Sequence, residues 1–238
     1  MTSHEIHLPT DDAHPIYPDP PAAGTLRLVP LGGLGEFGKN AMALEYGRDM
    51  ILVDSGFAFP EDEMLGVDIV IPDFSYITEQ SDRLRGLVLT HGHEDHIGSV
   101  AFLVRQLEFG RLPVYGSRLT LALVRERLAE YDLLGSVDFH EVEDGERVHL
   151  GDFDIEFIQV SHSCPLSMAL VLRLPIGMVL HTGDYRFEGD DDGFQRRLQE
   201  IAPLGQPSPF MLMMADSTNI DREGHSPNEA MVREGLGP

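Results

Sequence analysis

The segment Thr90-His91-Gly92-His93-Glu94-Asp95-His96 joins a short apolar run to a stretch with helical spacing. Gly86–Thr90 (GLVLT) predicts a buried strand, and apolar residues recur at helical intervals over Asp95–Phe109. Between them, three histidines and one aspartate fall within six residues. Imidazole nitrogens and carboxylate oxygens are typical zinc ligands, and the central glycine lets the loop bend so that its neighbours face one point. The segment therefore predicts a metal site at the end of a strand.

Two further ligand candidates follow later strands. His162 ends a predicted strand over Phe153–Ser161, and Asp184 follows one over Met178–Thr182. Strand ends are where an α/β scaffold places its chemistry, so both side chains are expected near the first cluster. His181 lies inside its strand, and we interpret it as a packing or supporting residue rather than as a ligand.

The rest of the chain alternates strand-like and helix-like segments. Strands are predicted at Leu26–Val29, Asn40–Tyr46 and Asp49–Asp54, and near 137–142, 146–150, 153–160, 167–174, 177–182 and 210–215; helices are predicted near 119–134 and 193–201. Hairpins between neighbouring strands are frequent, which favours a layered α/β sandwich over a purely parallel sheet.

The composition restricts the partners and the compartment. The chain has 40 acidic and 17 basic residues, a formal net charge of −23. Such a surface repels nucleic acid unless positive charge is local or is supplied by metal ions. The single cysteine, Cys164, allows no intramolecular disulfide, which fits a reducing cytoplasm. We find no signal-peptide pattern and no apolar run long enough to span a bilayer.

A glycine-rich loop offers a competing interpretation. Gly33-Leu-Gly-Glu-Phe-Gly38 matches a dinucleotide-binding fingerprint, with Asp54 about twenty residues later. That motif needs a helix after the glycines, but only Lys39–Arg48 separate the loop from the next strand. Because a parallel crossover needs about a dozen residues or more, we interpret the loop as a place where backbone approaches the active site closely.

The pattern H-x-H-x-D-H, followed by a later histidine and a later aspartate, resembles the metallo-β-lactamase superfamily. Asp54 in Val53-Asp54-Ser55-Gly56 matches the first motif of that superfamily. Five other stretches resemble the ribonuclease J family of beta-CASP nucleases, and the resemblance covers roughly residues 25 to 238. These stretches are Pro30–Asn40, Phe59–Gly66, Ile71–Tyr76, Thr182–Phe187 and Ala215–Asn219.

The resemblance implies a fold, a cofactor and a substrate. The fold would be an αββα sandwich holding two divalent metal ions, most simply zinc, with manganese or magnesium as alternatives. The activity would be hydrolysis of RNA phosphodiester bonds, as a 5′-to-3′ exonuclease and endonuclease in RNA processing and decay, including that of rRNA. RNA would be the partner, with no membrane, and the full-length protein would be a cytoplasmic homo-oligomer.

The resemblance also implies a role for each site residue. One metal would be held by His91, His93 and His162; the other would be held by Asp95 and His96; and Asp184 would bridge the two. Asp54 would orient a ligand histidine and fix its tautomer. Asp216 matches the acidic residue that opens the beta-CASP insert and steers a later histidine.

The same resemblance suggests how the chain is divided. Residues 1–23, with five prolines, four acids and no lysine or arginine, predict a disordered tail. Residues 24–215 would be the first part of a metallo-β-lactamase domain, incomplete at its C-terminal end. Residues 216–238 would begin a truncated beta-CASP domain. Such an N-terminal portion is expected to be weakly active or inactive on RNA.

Two positions depart from the family pattern or compete with it. Leu166 stands where this family is expected to have an acidic residue, which affects substrate contacts near His162. His225 could serve as a final ligand in a compact member of the superfamily. However, Ser226-Pro-Asn-Glu229 has the form of a helix cap, which favours a loop histidine at position 225.

Two other functions would fit part of the pattern. A compact, glyoxalase-like thioester hydrolase would share the histidine cluster, but Ala215-Asp-Ser-Thr-Asn219 favours the nucleases. A non-catalytic, metal-stabilised module that binds a partner is the second alternative. Ligand-type residues are present at all six matching positions, which argues against a module that has lost its catalytic activity.

Overall fold

The computed structural model describes residues 18–107, 110–186, 193–218, 220, 221 and 223. Its first half forms a six-stranded sheet with four helices and a short 3-10 helix at Ser81–Arg83. The elements are β1 (Leu26–Gly32), β2 (Ala41–Tyr46), β3 (Asp49–Val53), α1 (Ser75–Thr78), β4 (Leu84–Val88), α2 (Glu94–Ile97), α3 (Val100–Gln106), β5 (Leu112–Gly116), α4 (Arg118–Glu130) and β6 (Val137–Glu141). The strands lie in sequence order, β1 to β3 antiparallel and β3 to β6 parallel.

The second half forms a five-stranded sheet and one helix, after a 3-10 helix at Leu134–Ser136. The elements are β7 (Arg147–Leu150), β8 (Phe153–Val160), β9 (Ser167–Leu174), β10 (Gly177–His181), α5 (Gly193–Ile201) and β11 (Phe210–Met214). The order across the sheet is β11-β10-β9-β8-β7, antiparallel except for the parallel pair β10 and β11. No helix in the described part of the chain is long and apolar enough to cross a membrane.

Strands buried on both faces hold the layers together. In β2, Ala43 belongs to the core between the first sheet and helices α1 to α4, and its neighbour Leu44 belongs to the core between the two sheets. In β9, Leu170 faces the inter-sheet core, and Val171 packs in a third core with Phe194 of α5. The layers therefore run helices, sheet, sheet, helix, which confirms the predicted αββα sandwich.

The helix predicted over Asp95–Phe109 is divided into α2 and α3, with residues 108 and 109 outside the described part. A continuous helix would place a hydrogen bond from Ser99 N to the Asp95 carbonyl. Instead, Ser99 N donates to the carbonyl of Ser55 (2.9 Å), and the Asp95 carbonyl accepts from Asn40 N (3.0 Å). Contacts with the loop after β3 thus replace the local helical bond.

One strand, β5, was not predicted from the sequence. It contains Pro113, a residue that cannot donate to a strand ladder and is uncommon inside a sheet. The strand nevertheless lies between β4 and β6, with Leu112 and Val114 fully or almost fully buried. Packing of these two side chains outweighs the local preference of the proline.

Candidate metal centre

The segment Thr90–His96, here called the histidine loop, runs from the end of β4 into α2, and its side chains point in two directions. His93 has extended backbone (φ −74°, ψ 150°) and is the N-cap residue of α2. Its carbonyl accepts hydrogen bonds from the backbone N–H groups of His96 and Ile97, both at 2.9 Å. His91 and His93 therefore precede the helix, and Asp95 and His96 lie on its first turn.

Three imidazole rings and one carboxylate form the first group of possible metal ligands: His91, His93, His162 and Asp184. The Nδ1 atom of His93 lies 3.1 Å from Nε2 of His91 and 3.2 Å from Nε2 of His162. Four ligands held about 2.0 Å from one tetrahedral zinc ion would be roughly 3.3 Å apart. The spacing of these nitrogens therefore fits a zinc-sized ion.

Asp184 connects this group to a second one, formed by Asp95, His96 and Asp184 itself. Its Oδ2 atom lies 3.9 Å from His91 Nε2 and 3.7 Å from His162 Nε2. Its Oδ1 atom lies 3.4 Å from His96 Nε2, which in turn is 3.6 Å from Asp95 Oδ2. The six predicted ligand residues thus lie together, with the two oxygens of one carboxylate facing different groups.

Asp54 lies directly behind the second group and is almost completely buried. Its Oδ1 accepts a hydrogen bond from the backbone N–H of Thr90 at 2.8 Å. Its Oδ2 lies 2.8 Å from Nδ1 of His96 and 2.8 Å from the Thr90 hydroxyl. Because a carboxylate only accepts, the His96 ring carries its shared proton on Nδ1 and turns Nε2 towards Asp184.

The hydroxyl of Thr90 fixes the position of the ring proton of His91 in the same way. Thr90 Oγ1 lies 3.0 Å from Nδ1 of His91 and donates its single proton to Asp54, so it can only accept from the ring. His91 is neutral, because burial and the neighbouring His96 lower its pKa to about 2. Its one proton is therefore on Nδ1, and the Nε2 lone pair faces the first group.

The electrostatics of the cluster favour a bound cation. Burial opposes a charge on His96, but the Asp54 and Asp184 carboxylates outweigh it and raise the pKa of the ring to about 10. Burial would raise the pKa of Asp184, yet the surrounding histidines, His96 above all, lower it to about 2. The carboxylates thus attract positive charge to this point, and a divalent ion would supply it.

Asn40 also reaches the second group, a contact that sequence analysis missed. Its side-chain Nδ2 lies 3.1 Å from the Asp95 carbonyl, 3.4 Å from Asp95 Oδ2 and 3.1 Å from His96 Nε2. Its own carbonyl accepts from the backbone N–H of Gly56 at 2.9 Å. Asn40 follows the glycine-rich loop directly, but nothing in the local sequence indicates a contact 55 residues away.

The glycine-rich loop is a place of close approach, as the sequence analysis expected. Residues 33–40 are all described and contain no helix before β2, so the dinucleotide interpretation is wrong. A side chain at Gly33 would collide with the Asn40 side chain, and one at Gly38 would collide with Ala58. Both glycines also have positive φ angles, 84° and 85°, which other residues rarely adopt.

A cleft of about 1750 Å³ opens over both ligand groups, with the glycine-rich loop on one side. Asp216 lies in its wall, where its backbone N–H donates to Thr182 Oγ1 (3.1 Å) and its Oδ1 accepts from Thr218 N (2.7 Å). His181 supports the turn before Asp184, because its Nδ1 accepts from the backbone N–H of Gly183 at 3.1 Å.

The remaining predicted positions have different outcomes. Leu166, in the loop between β8 and β9, has a positive φ of 59°, which is unusual for a leucine. His225, the first seventeen residues of the predicted tail and most of residues 216–238 lie outside the described residues.

Comparisons with known proteins agree with this architecture. A family model for the metallo-beta-lactamase superfamily matches residues 34–209. Ribonuclease J of Synechocystis sp. is 40% identical over 210 residues, which are 87% of this chain and 32% of that protein. Ribonuclease J of Thermus thermophilus is 38% identical over 217 residues, or 89% of this chain and 38% of that protein. The chain thus spans about a third of the length of these curated relatives.

A solved structure supports the fold alone. The crystal structure of a protein of unknown function from Enterococcus faecalis superposes with a TM-score of 0.62 at 16% sequence identity. The match covers 85% of this chain and 52% of the other.

Proposed function

Because the chain belongs to the metallo-beta-lactamase superfamily, we propose that it uses two divalent metal ions to hydrolyse phosphodiester bonds in RNA. The observation that carries this proposal is the position of Asp184, whose two carboxylate oxygens face different groups of nitrogen and oxygen donors. A carboxylate shared in this way suits a pair of ions rather than a single one. When bound, such ions activate water and stabilise charge on phosphoryl oxygens.

RNA as the substrate is supported by the curated relatives, which are ribonucleases J at 38% and 40% identity. We further propose 5′-to-3′ exonuclease and endonuclease activity in RNA processing and decay, as the family resemblance of the sequence implies. Since the chain spans about a third of the length of those relatives, these activities are proposed for the whole protein of which this fold is a part.

Zinc is the metal that we propose, with manganese or magnesium as alternatives. The first group offers three imidazole nitrogens and a carboxylate, a donor set that zinc prefers and magnesium seldom uses. We assign His91, His93 and His162 to one ion, Asp95 and His96 to the other, and Asp184 to both.

The supporting residues fix the orientation and the Nδ1 proton of two donor histidines. Asp54 keeps the proton of His96 on Nδ1, and Thr90 keeps that of His91 on Nδ1. Both Nε2 atoms are thereby aimed before an ion arrives, which reduces the cost of organising the site. A metal ion would displace the second proton that His96 carries in its absence. Asp216, in the wall of the cleft, is proposed to orient a proton-transferring group on the leaving-group side.

We also propose the cytoplasm as the place of action, because a chain with one cysteine forms no internal disulfide and suits a reducing compartment. The full-length protein is proposed to be a homo-oligomer.

The test of this function measures release of labelled nucleotides from a 5′-monophosphorylated, unstructured RNA over long incubations. The Asp184→Asn variant, prepared in parallel, sets the background. We expect slow cleavage above that background, lost after treatment with a chelator and restored by zinc.

A glutathione thioester, assayed with the same preparations, distinguishes the alternatives. Hydrolysis of the thioester with RNA left intact would contradict the proposal and favour a glyoxalase-like enzyme. Stoichiometric metal binding by the complete protein, with neither substrate hydrolysed, would favour a non-catalytic module.

A further inference from the structure

The cleft over the metal centre is unfavourable for an anionic substrate. Eight carboxylates belong to its described lining, namely Glu36, Asp54, Glu61, Glu94, Asp95, Asp184, Asp216 and Glu223. Two cationic side chains, Lys39 and Arg186, complete the charged part of that described lining. Two divalent ions would offset only part of this negative charge, so a phosphate chain needs a further positive contact.

Lys39 is the only lysine of the chain, since the other sixteen of the 17 basic residues are arginines. Its position is fixed from both sides. Its backbone N–H donates to the carbonyl of Phe57 at 3.0 Å, and a side chain at Gly32 would collide with the Lys39 carbonyl. The next residue, Asn40, contacts both Asp95 and His96 of the second ligand group.

The backbone of Lys39 is in the left-handed region, with φ at 53°. This conformation is unfavourable for residues with a side chain, and glycine would adopt it without strain. The loop has glycine at four other positions between residues 32 and 38, but a lysine here. Strain retained at a residue that lines a reaction cleft points to a role for its side chain.

The ammonium group of Lys39 has a weakly held partner. Its Nζ atom lies 2.9 Å from Oε2 of Glu36, and both side chains are partly exposed (23% and 40%). Hydrogen bonding to Lys39 is the main cause of the lowered pKa of Glu36, which keeps that carboxylate charged. Surface pairs of this kind contribute little to stability, so a phosphate can displace the carboxylate.

Arg186, the second cation of the described lining, takes part in other interactions within the protein. Its backbone also pairs with Ser161, beside His162. A lysine is the better suited of the two to move between partners, because its ammonium is a point charge with three donors on a flexible stem.

We propose that Lys39 binds a backbone phosphate of the RNA that enters the cleft, and that Glu36 holds the ammonium while the cleft is empty. The inference rests on the proposed ribonuclease function and names one contact of its substrate. Lys39 is thus a binding residue beside the metal centre and carries no chemical step.

The single lysine makes a direct test possible. Reductive methylation with ¹³C-formaldehyde labels Lys39 and the terminal amine, keeps both charges, and gives two signals that can be separated by NMR. The Lys39→Gln variant identifies the lysine signal. On titration with a phosphorothioate oligouridylate, which resists hydrolysis, we expect a saturable shift of the Lys39 signal in the zinc-loaded chain.

Binding of the same oligonucleotide to unlabelled variants gives the second measurement. Lys39→Gln should weaken binding and reduce the slope of log K against log salt by about 0.7, the loss of one phosphate contact to a single strand. Glu36→Gln should strengthen binding, because no carboxylate then competes with the phosphate for the Lys39 ammonium. Arg48→Gln is the matched control; this exposed residue lies in the β2–β3 turn, outside the cleft lining, and should leave the slope unchanged.

The outcomes separate this inference from the function on which it rests. RNA bound equally well by the Lys39→Gln variant, with an unchanged salt slope, would overturn the role of Lys39 and leave the ribonuclease proposal intact. Failure of the unaltered, zinc-loaded chain to bind the oligonucleotide at all, in the direct binding measurement at millimolar concentrations, would contradict both.

Discussion

The Oδ2 atom of Asp54 lies 2.8 Å from Nδ1 of His96, and both side chains are almost completely buried. The same oxygen accepts the hydroxyl proton of Thr90, whose Oγ1 lies 3.0 Å from Nδ1 of His91. One carboxylate therefore orients a histidine in each ligand group. The sequence analysis expected Asp54 to act on a single histidine, so its influence on the site is wider than the motif indicates.

Exchanging carboxylate for amide should separate the roles of Asp184 and Asp54. We expect Asp54→Asn to weaken metal binding by about 10–100-fold, the usual effect of losing a residue that orients a ligand. Asp184→Asn should weaken metal binding by a larger factor, because this side chain faces both ligand groups directly. Zinc affinity measured by competition with a chromophoric chelator provides the comparison. Equal losses, or a larger loss for Asp54→Asn, would show that the two residues have been assigned the wrong positions.

Replacing Thr90 with valine should affect His91 in particular. The change keeps the shape of the side chain but removes the acceptor of the His91 Nδ1 proton, leaving a buried donor without a partner. We expect a loss of about 1–3 kcal/mol in the free energy of unfolding of the metal-free protein. Urea denaturation measures it, and Thr90→Ser, which keeps the hydroxyl, is the control. A Thr90→Val variant as stable as the unaltered protein, or a larger loss in Thr90→Ser than in Thr90→Val, would mean that the methyl group matters and the hydroxyl does not.

Removing the Asn40 side chain should weaken metal binding at the second ligand group more than at the first. Its Nδ2 contacts belong to Asp95 and His96, which are members of the second group only. At a limiting free zinc concentration, Asn40→Ala should therefore retain about one ion where the unaltered chain retains two. Elemental analysis after equilibrium dialysis gives this ratio. Loss of both ions together, or of neither, would contradict a role of Asn40 in the second ligand group alone.

The approach of the loop after β3 to helix α2 predicts a strong effect at Gly56. A methyl group there would overlap the backbone carbonyl of Asp95, which already accepts two hydrogen bonds from Asn40. We expect Gly56→Ala to destabilise the fold by about 1–3 kcal/mol, as overpacking does. Gly135→Ala, where no atom lies within 4 Å of the added methyl group, should be tolerated. Equal stability of the two variants in urea would contradict the close contact.

The sequence predicted the parts of the site that depend on local pattern. The histidine loop was recognisable because its ligands fall within six residues, and His162 and Asp184 were found because each follows a strand. The roles of Thr90 and Asn40 depend on contacts across 36 and 55 residues, respectively, which no local pattern contains.

The fold shows the same division between local and distant causes. The layered α/β sandwich followed from the alternation of strand-like and helix-like segments, which is local, and the αββα order followed from the family resemblance. The break between α2 and α3 did not, because Ser99 N donates to Ser55 on a neighbouring loop instead of to the preceding turn. Strand β5 was missed since Pro113 opposes a strand locally while burial of its neighbours favours one.

The central claim is that one site holds two metal ions that share Asp184. The most direct measurement is an anomalous difference map at the zinc absorption edge, from crystals grown with zinc. We predict two peaks roughly 3.5–4 Å apart, one beside His91, His93 and His162, the other beside Asp95 and His96, and both in contact with Asp184. A single peak, or two peaks of which one lies away from Asp184, would contradict the account.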